Sequence, residues 1–364
     1  MVARGRAPID SIWMRPRWLP VLLTLLLPAT LGFVMVLIGL RSREPYGHLV
    51  VWVTPFLCGM GSGFASVVLI PKRGFGFRLL LSALSACATL TALLLVGADG
   101  AICLAILAPV AIGSAIFGAL FGILIAELVL PDARRQAWLL VASVGVVIAL
   151  MFAPPGRATG HRTVRTELII DAPIERVWDA VIAFSPIEAE PAWFFRLGIA
   201  YPTHAQIDGE GVGAVRTCHF STGAFVEPIT VWDPPAELSF DVVQQPRPMN
   251  EISLWQIHPE HLDSAVRSRR GQFLLEPLSD GRTRLIGTTW IEIFPDPEFY
   301  FGAITEYLVH RIHERVLRHI QASAEGEPRS ARAARGQDPV VQEPRELDLP
   351  VQDSPGDHSP RDEG

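Results

Sequence analysis

Hydrophobic and polar positions change rhythm once along this chain, near Pro154. Upstream, long apolar runs follow one another with short polar turns between them. Downstream, apolar residues recur at the spacings of strands and amphipathic helices, at ordinary charge density. Leu19 to Leu40 and Leu49 to Ile70 each run 22 residues without a charged side chain, enough to cross ~30 Å of hydrocarbon at ~1.5 Å per residue. Residues 79–96 predict a third span and 137–152 a shorter last one. Between them, 101–130 reads as one long tilted helix or, with Pro109, Gly113, Gly118 and Gly122 inside it, as a broken hairpin. About five helices over 19–152 are therefore expected, after a basic segment at 1–18 and before a linker at 153–165.

The second rhythm predicts an α+β domain over 166–324. Glu167 to Ile170 reads as a strand, and Asp171-Ala-Pro173 opens a helix, with Asp able to cap and Pro favourable in the first turn. Val177, Trp178, Val181 and Ile182 give that helix one apolar face. Residues 211–220, 225–232, 238–243, 272–276 and 284–294 read as strands, and Ser279-Asp-Gly281 as a hairpin turn. A closing helix over 298–324 carries the stripe Phe301, Ile304, Leu308, Ile312, Val316 and Ile320. Residues 325–364 are rich in Pro, Gly and charge and are expected to be a disordered acidic tail.

The opening strand, the phrase Asp171-Ala-Pro-Ile-Glu-Arg-Val-Trp178, the run of antiparallel strands and the long closing helix resemble the START-like helix-grip superfamily, which holds polyketide cyclase/dehydrase-like and lipid-transfer proteins. The stretch Gly213 to Trp232 is similar to a membrane-anchored bacterial branch that brings no catalytic residues to carry over. The resemblance covers 166–324 and implies an α+β helix-grip domain, a curved antiparallel sheet around a long C-terminal helix; the α-helical membrane bundle expected before it comes from the apolar runs and is not part of the general family pattern. It also implies an apolar cavity between sheet and helix, the default place for a hydrophobic or amphipathic ligand.

Trp193, Phe195, Trp255, Trp290 and Tyr300 are the aromatics expected to border that cavity. Arg216, His219, Glu227, Glu292 and His310 are the polar groups expected to reach it. Strand alternation sends Arg216 and His219 to opposite faces, so at most one looks inward. A buried Arg needs a carboxylate, which Glu227 or Glu292 can supply. The leading expectation is a non-catalytic binder; the alternatives are a cyclase- or dehydratase-like enzyme and a scaffold or sensor with a filled cavity. No cofactor is expected, and no metal, because His310, His313 and Glu314 fit neither order of the helical zinc motifs. His258 and His261 read as surface or capping residues.

Charge refines the picture. The net charge is -6, and the tail carries ten Asp/Glu against five Arg. The folded part is thus nearly neutral, with no basic stripe for nucleic acid. Only Glu127 is ionisable within an apolar run, which argues against a transport pathway. With five spans, nine Lys/Arg fall on the N-terminal side and five on the other, so the soluble domain is expected on the non-cytoplasmic side of a bacterial inner membrane. The expected partners are the bilayer and the small molecule. GxxxG patterns at Gly59/Gly63 and Gly118/Gly122 suit helix packing within the chain or a homo-oligomer.

Overall fold

The computed structural model describes residues 18–40, 49–129, 160–257, 259 and 261–326. The predicted 137–152 span and nearly all of the 1–18 segment and the 325–364 tail lie outside the described residues.

The apolar runs form α1 (Leu19–Leu40), α2 (Thr54–Leu69), α3 (Phe75–Leu95) and α4 (Ala101–Val129), with a π-helical turn, Leu49–Val53, leading into α2. All four are long and apolar enough to cross a membrane. Residues 101–129 make one helix with Pro109 inside it rather than a hairpin. Leu27, Leu31, Ile38, Phe117 and Leu124 are exposed, an apolar exterior that water would not favour.

Small residues set how closely the helices approach. A Cβ placed on Gly59 would lie 1.8 Å from the Ala115 carbonyl oxygen, and one on Gly63 2.4 Å from that of Ala119. From the other helix, a Cβ placed on Gly118 would lie 2.0 Å from the Phe56 carbonyl oxygen, and one on Gly122 2.0 Å from that of Met60. Both GxxxG faces are therefore spent on the α2–α4 contact inside the chain. Hydroxyls tie the remaining helices: Ser85 donates to the Leu25 carbonyl (3.0 Å) and Ser114 to that of Trp52 (2.9 Å). Glu127 meets Arg78 at 3.4 Å.

The soluble half runs β1 (Gly160–Ile170), α5 (Ile174–Ile182), α6 (Trp193–Arg196), β2 (Pro202–Asp208), β3 (Val215–Phe220), β4 (Gly223–Asp233), β5 (Glu237–Asp241), α7 (Leu262–Ala265), β6 (Val266–Pro277), β7 (Thr283–Ile293) and α8 (Glu298–Glu325). The seven strands form one antiparallel sheet in the order β1-β7-β6-β5-β4-β3-β2. Three departures from regular register, at Pro202/His204, Ile229/Val231 and Ser268/Arg270, add local twist. β1 begins at Gly160, inside the stretch read as linker, and β2 has no counterpart among the predicted strands.

Alternation fixes which side chains face α8. Val164, Leu168 and Ile170 of β1 lie opposite Thr289, Leu285 and Thr283 of β7. Leu168, Ile170 and Leu285, with Leu238, Phe240, Leu275 and Ile229 from the middle strands, Trp178 and Val181 of α5, and Val316, Leu317 and Ile320 of α8, make the main core, while Val164 packs with Ile291 and Ile293 in a smaller cluster. At Gly271 the Phe240 ring of the neighbouring strand lies where a side chain would go, 2.4 Å from a Cβ placed there.

Candidate functional site

On the sheet's inner face, Arg216 of β3 lies directly across from Glu227 of β4. Both are buried, and the guanidinium donates to the Glu227 carboxylate through one NH2 group and to the Ile182 carbonyl (3.2 Å) through Nε. Three phenyl rings surround it, with centroids 5.4 to 5.7 Å from the guanidinium carbon: Phe184, Phe240 and Phe273. Burial pushes the Glu227 carboxyl up, and the adjacent guanidinium opposes that push. The pair is thus a polar island in an aromatic interior, which packing alone does not require.

Toward β1 and β7 a second polar line faces α8. The Thr166 hydroxyl is 2.8 Å from Nδ1 of His310 and 3.0 Å from Nδ1 of His313, and Thr289 Oγ1 is 2.8 Å from Nε2 of His313. Both ring nitrogens of His313 are therefore engaged. Burial, reinforced by the neighbouring His310, holds His313 down to about 4. A neutral imidazole carries one N–H, so each threonine hydroxyl must donate or accept according to its tautomer. The four side chains can order a proton along one line.

No family profile and no curated protein matches this chain. Solved structures do. One is an aromatase/cyclase from Streptomyces sp. R1128, 17% identical, with a TM-score of 0.31 over 48% of this chain and 98% of that one. Norcoclaurine synthase from Thalictrum flavum is 12% identical, with a TM-score of 0.30 over 45% of this chain and 93% of that one. The Aha1 dimer from Colwellia psychrerythraea is 13% identical, with a TM-score of 0.26 over 45% and 96%. What decides the fold is the sheet order, with α5 and α6 between β1 and β2 and α8 closing the chain. The second half of the chain has the helix-grip fold.

The helix-grip domain distributes the sequence-predicted site residues unevenly. Arg216, Glu227 and His310 reach the interior. His219 takes the other face of β3 and stacks on His204, centroids 4.2 Å apart. Trp290 and Glu292 also stand on the outer face: their β7 parity is opposite to that of the core residues Leu285 and Ile291. There Trp290 lies under Arg270 and Glu292 pairs with Arg269 at 2.8 Å. Phe195 is buried against Phe194 and Tyr201, whereas Trp193 is exposed. Cys218, buried two residues along β3 from Arg216, and Thr166, Thr289 and His313 are not among the residues expected there. Alternation from Arg216 points to Cys218, and the threonines needed the β1–β7 register.

Trp255 and Tyr300 serve a different place, the contact between the domain and the helical half. Tyr300 donates to the Ile106 carbonyl of α4 (2.7 Å), and Trp255 Nε1 donates to the Leu95 carbonyl at the end of α3 (2.8 Å). Gly97, at φ +70, lets the chain leave α3 where a Cβ would lie 2.7 Å from the Trp255 ring. The first amides of α4, which a helix cannot satisfy itself, are met by the β5–β6 connection. Ala101 N–H donates to the Ile252 carbonyl (2.8 Å), and Ile102 and Cys103 N–H donate to the two Glu251 carboxylate oxygens (3.0 Å each). His261, beside this end, is held down to about 4 chiefly by burial, and burial lifts Asp99 to about 7. His258 lies outside the described residues.

Proposed function

We propose that this protein holds its helix-grip domain at a bilayer and that the domain takes up an amphipathic small molecule, such as a lipid, between the sheet and α8 without chemically changing it. The observation that carries the reading is the Arg216–Glu227 pair, with its three phenyl rings. An apolar replacement of similar volume would be neutral or stabilising in a merely structural interior, so a buried pair suits a polar anchor for a ligand headgroup. The helices would anchor, and the Lys/Arg count of nine against five supports a non-cytoplasmic domain.

The test is mass spectrometry of small molecules that co-purify with the full chain in detergent. An amphipathic molecule bound at near-stoichiometric level is expected, and it should be lost from the Arg216→Met/Glu227→Leu double variant. An empty native protein, or equal loading of a folded double variant, would overturn the reading.

A second reading, a membrane-bound scaffold or sensor, has its own support. Ile170, Leu238, Leu285, Leu317 and Ile320 are fully buried and fill much of the inner face. Under it, the native chain would carry no small molecule.

A further inference from the structure

The α3–α4 loop, the first turn of α4 and the β5–β6 connection each bring one side chain of metal-binding chemistry to one point. Cys103 Sγ lies 3.5 Å and Asp99 Oδ1 3.9 Å from Nε2 of His261, and the three donor atoms all fall within 4.8 Å of one another. Tetrahedral zinc with bonds of ~2.0–2.3 Å separates its ligand atoms by roughly 3.3–3.8 Å, so only small adjustments are needed.

The surroundings point the same way. Asp99 is 1% exposed, its Oδ1 accepts from Gly100 N–H (2.8 Å), and its Oδ2 is buried with no hydrogen-bond partner among the described residues. Glu251 adds a second carboxylate at the same helix end. Among the described residues, neither carboxylate has a Lys or Arg within ion-pair distance. Buried negative charge without a cation is costly, and a divalent ion would remove that cost.

We propose that Asp99, Cys103 and His261 bind a zinc-class divalent cation, with the fourth position open to water or to a Glu251 oxygen. Thiolate and imidazole select a borderline-soft ion over magnesium or calcium, which prefer all-oxygen shells. The ion would join the α3–α4 loop and the first turn of α4 to the β5–β6 connection, and so fasten the helix-grip domain to the helices.

The test uses the full chain in detergent, purified with a tag free of histidine, stripped with chelator and then titrated with Zn²⁺ or Co²⁺ alone. One ion per chain is expected, and Co²⁺ should give the near-ultraviolet thiolate charge-transfer band of a Cys ligand. Cys103→Ser should abolish that band, and His261→Gln should weaken affinity by more than about 100-fold, beyond the ~10–100-fold typical of an outer-shell partner. Removing Cys58, Cys87 and Cys218 together should leave band and stoichiometry intact, which keeps the test decisive if Cys103→Ser misfolds. No tight Zn²⁺ binding, a Co²⁺ complex without the thiolate band, or unchanged binding in folded His261→Gln would each overturn the proposal.

Discussion

Two buried polar sites in this chain solve the same problem in different ways. Within the helix-grip domain, Arg216 and Glu227 come from adjacent strands, 11 residues apart, and neutralise each other across one cross-strand pair. At the end of α4, Glu251 reaches amides 148 and 149 residues away and, with Asp99, faces a helix N-terminus rather than a guanidinium. The first site is local and self-sufficient. The second is assembled from distant segments and leans on backbone dipoles and, under our proposal, on an ion. A hairpin can hold a charge pair as soon as it forms, whereas the junction exists only after both halves have folded.

The sharpest way to break this contrast is to remove one charge of the local pair. Arg216→Leu or Glu227→Leu alone leaves an uncompensated buried charge and should cost about 3–5 kcal/mol. The double replacement should recover most of that loss. Thermal unfolding of the full chain in detergent measures both, and a double variant as unstable as the singles would show that the pair is not self-contained.

Next in size is a pH effect of one histidine inside the domain. His313 holds its pKa near 4 in the folded chain against 6.5 for an ordinary histidine. The unfolded chain therefore binds a proton first as pH falls through 6.5, and stability declines until about pH 4, by about 3 kcal/mol from this group. Unfolding across that range should show a slope, and His313→Gln should make it shallower by this group's share, the rest coming from His261, which is held equally low. An unchanged profile in the variant would assign the slope to other groups.

The smallest effect belongs to the junction. Glu251→Gln keeps the hydrogen-bond geometry for one amide but removes the charge at the α4 N-terminus, and should cost up to about 2 kcal/mol. Amide exchange at Ile102 and Cys103 should speed up while exchange in β3 and β4 stays as it was. Faster exchange in the sheet would mean that the two sites are energetically one.

The same contrast explains what could be read from the sequence. Element order and the long closing helix were legible because Val177, Trp178 and Val181, and later Val316 and Ile320, repeat at helical spacing. Arg216 with a carboxylate was legible in part, because alternation and a buried Arg's demand for a partner are local, but the choice of Arg216 over His219 and of Glu227 over Glu292 needed the β3–β4 pairing. β2 was not, since Pro202-Thr-His-Ala-Gln-Ile-Asp208 offers only Ala205 and Ile207 as inward apolar positions. Trp290 and Glu292 were placed inside because β7 carries apolar residues at both parities, Ile286 and Trp290 as well as Leu285 and Ile291. Only pairing with Val164 and Leu168 of β1 settles which parity faces α8. Trp255, Tyr300 and Glu251 find partners between 148 and 194 residues away, a separation that no local pattern encodes.

The 29 residues of α4 span about 44 Å at ~1.5 Å per residue, roughly 14 Å more than the hydrocarbon layer of a bilayer. In a membrane the helix must lean or project, and its first two turns are where the domain grips it, through Glu251, Ile252 and Tyr300. The helix then acts as a post of fixed length with the domain clamped to its head. A thicker or thinner bilayer would change the angle of the post and swing the domain with it, so lipid chain length becomes a variable that the domain feels as displacement.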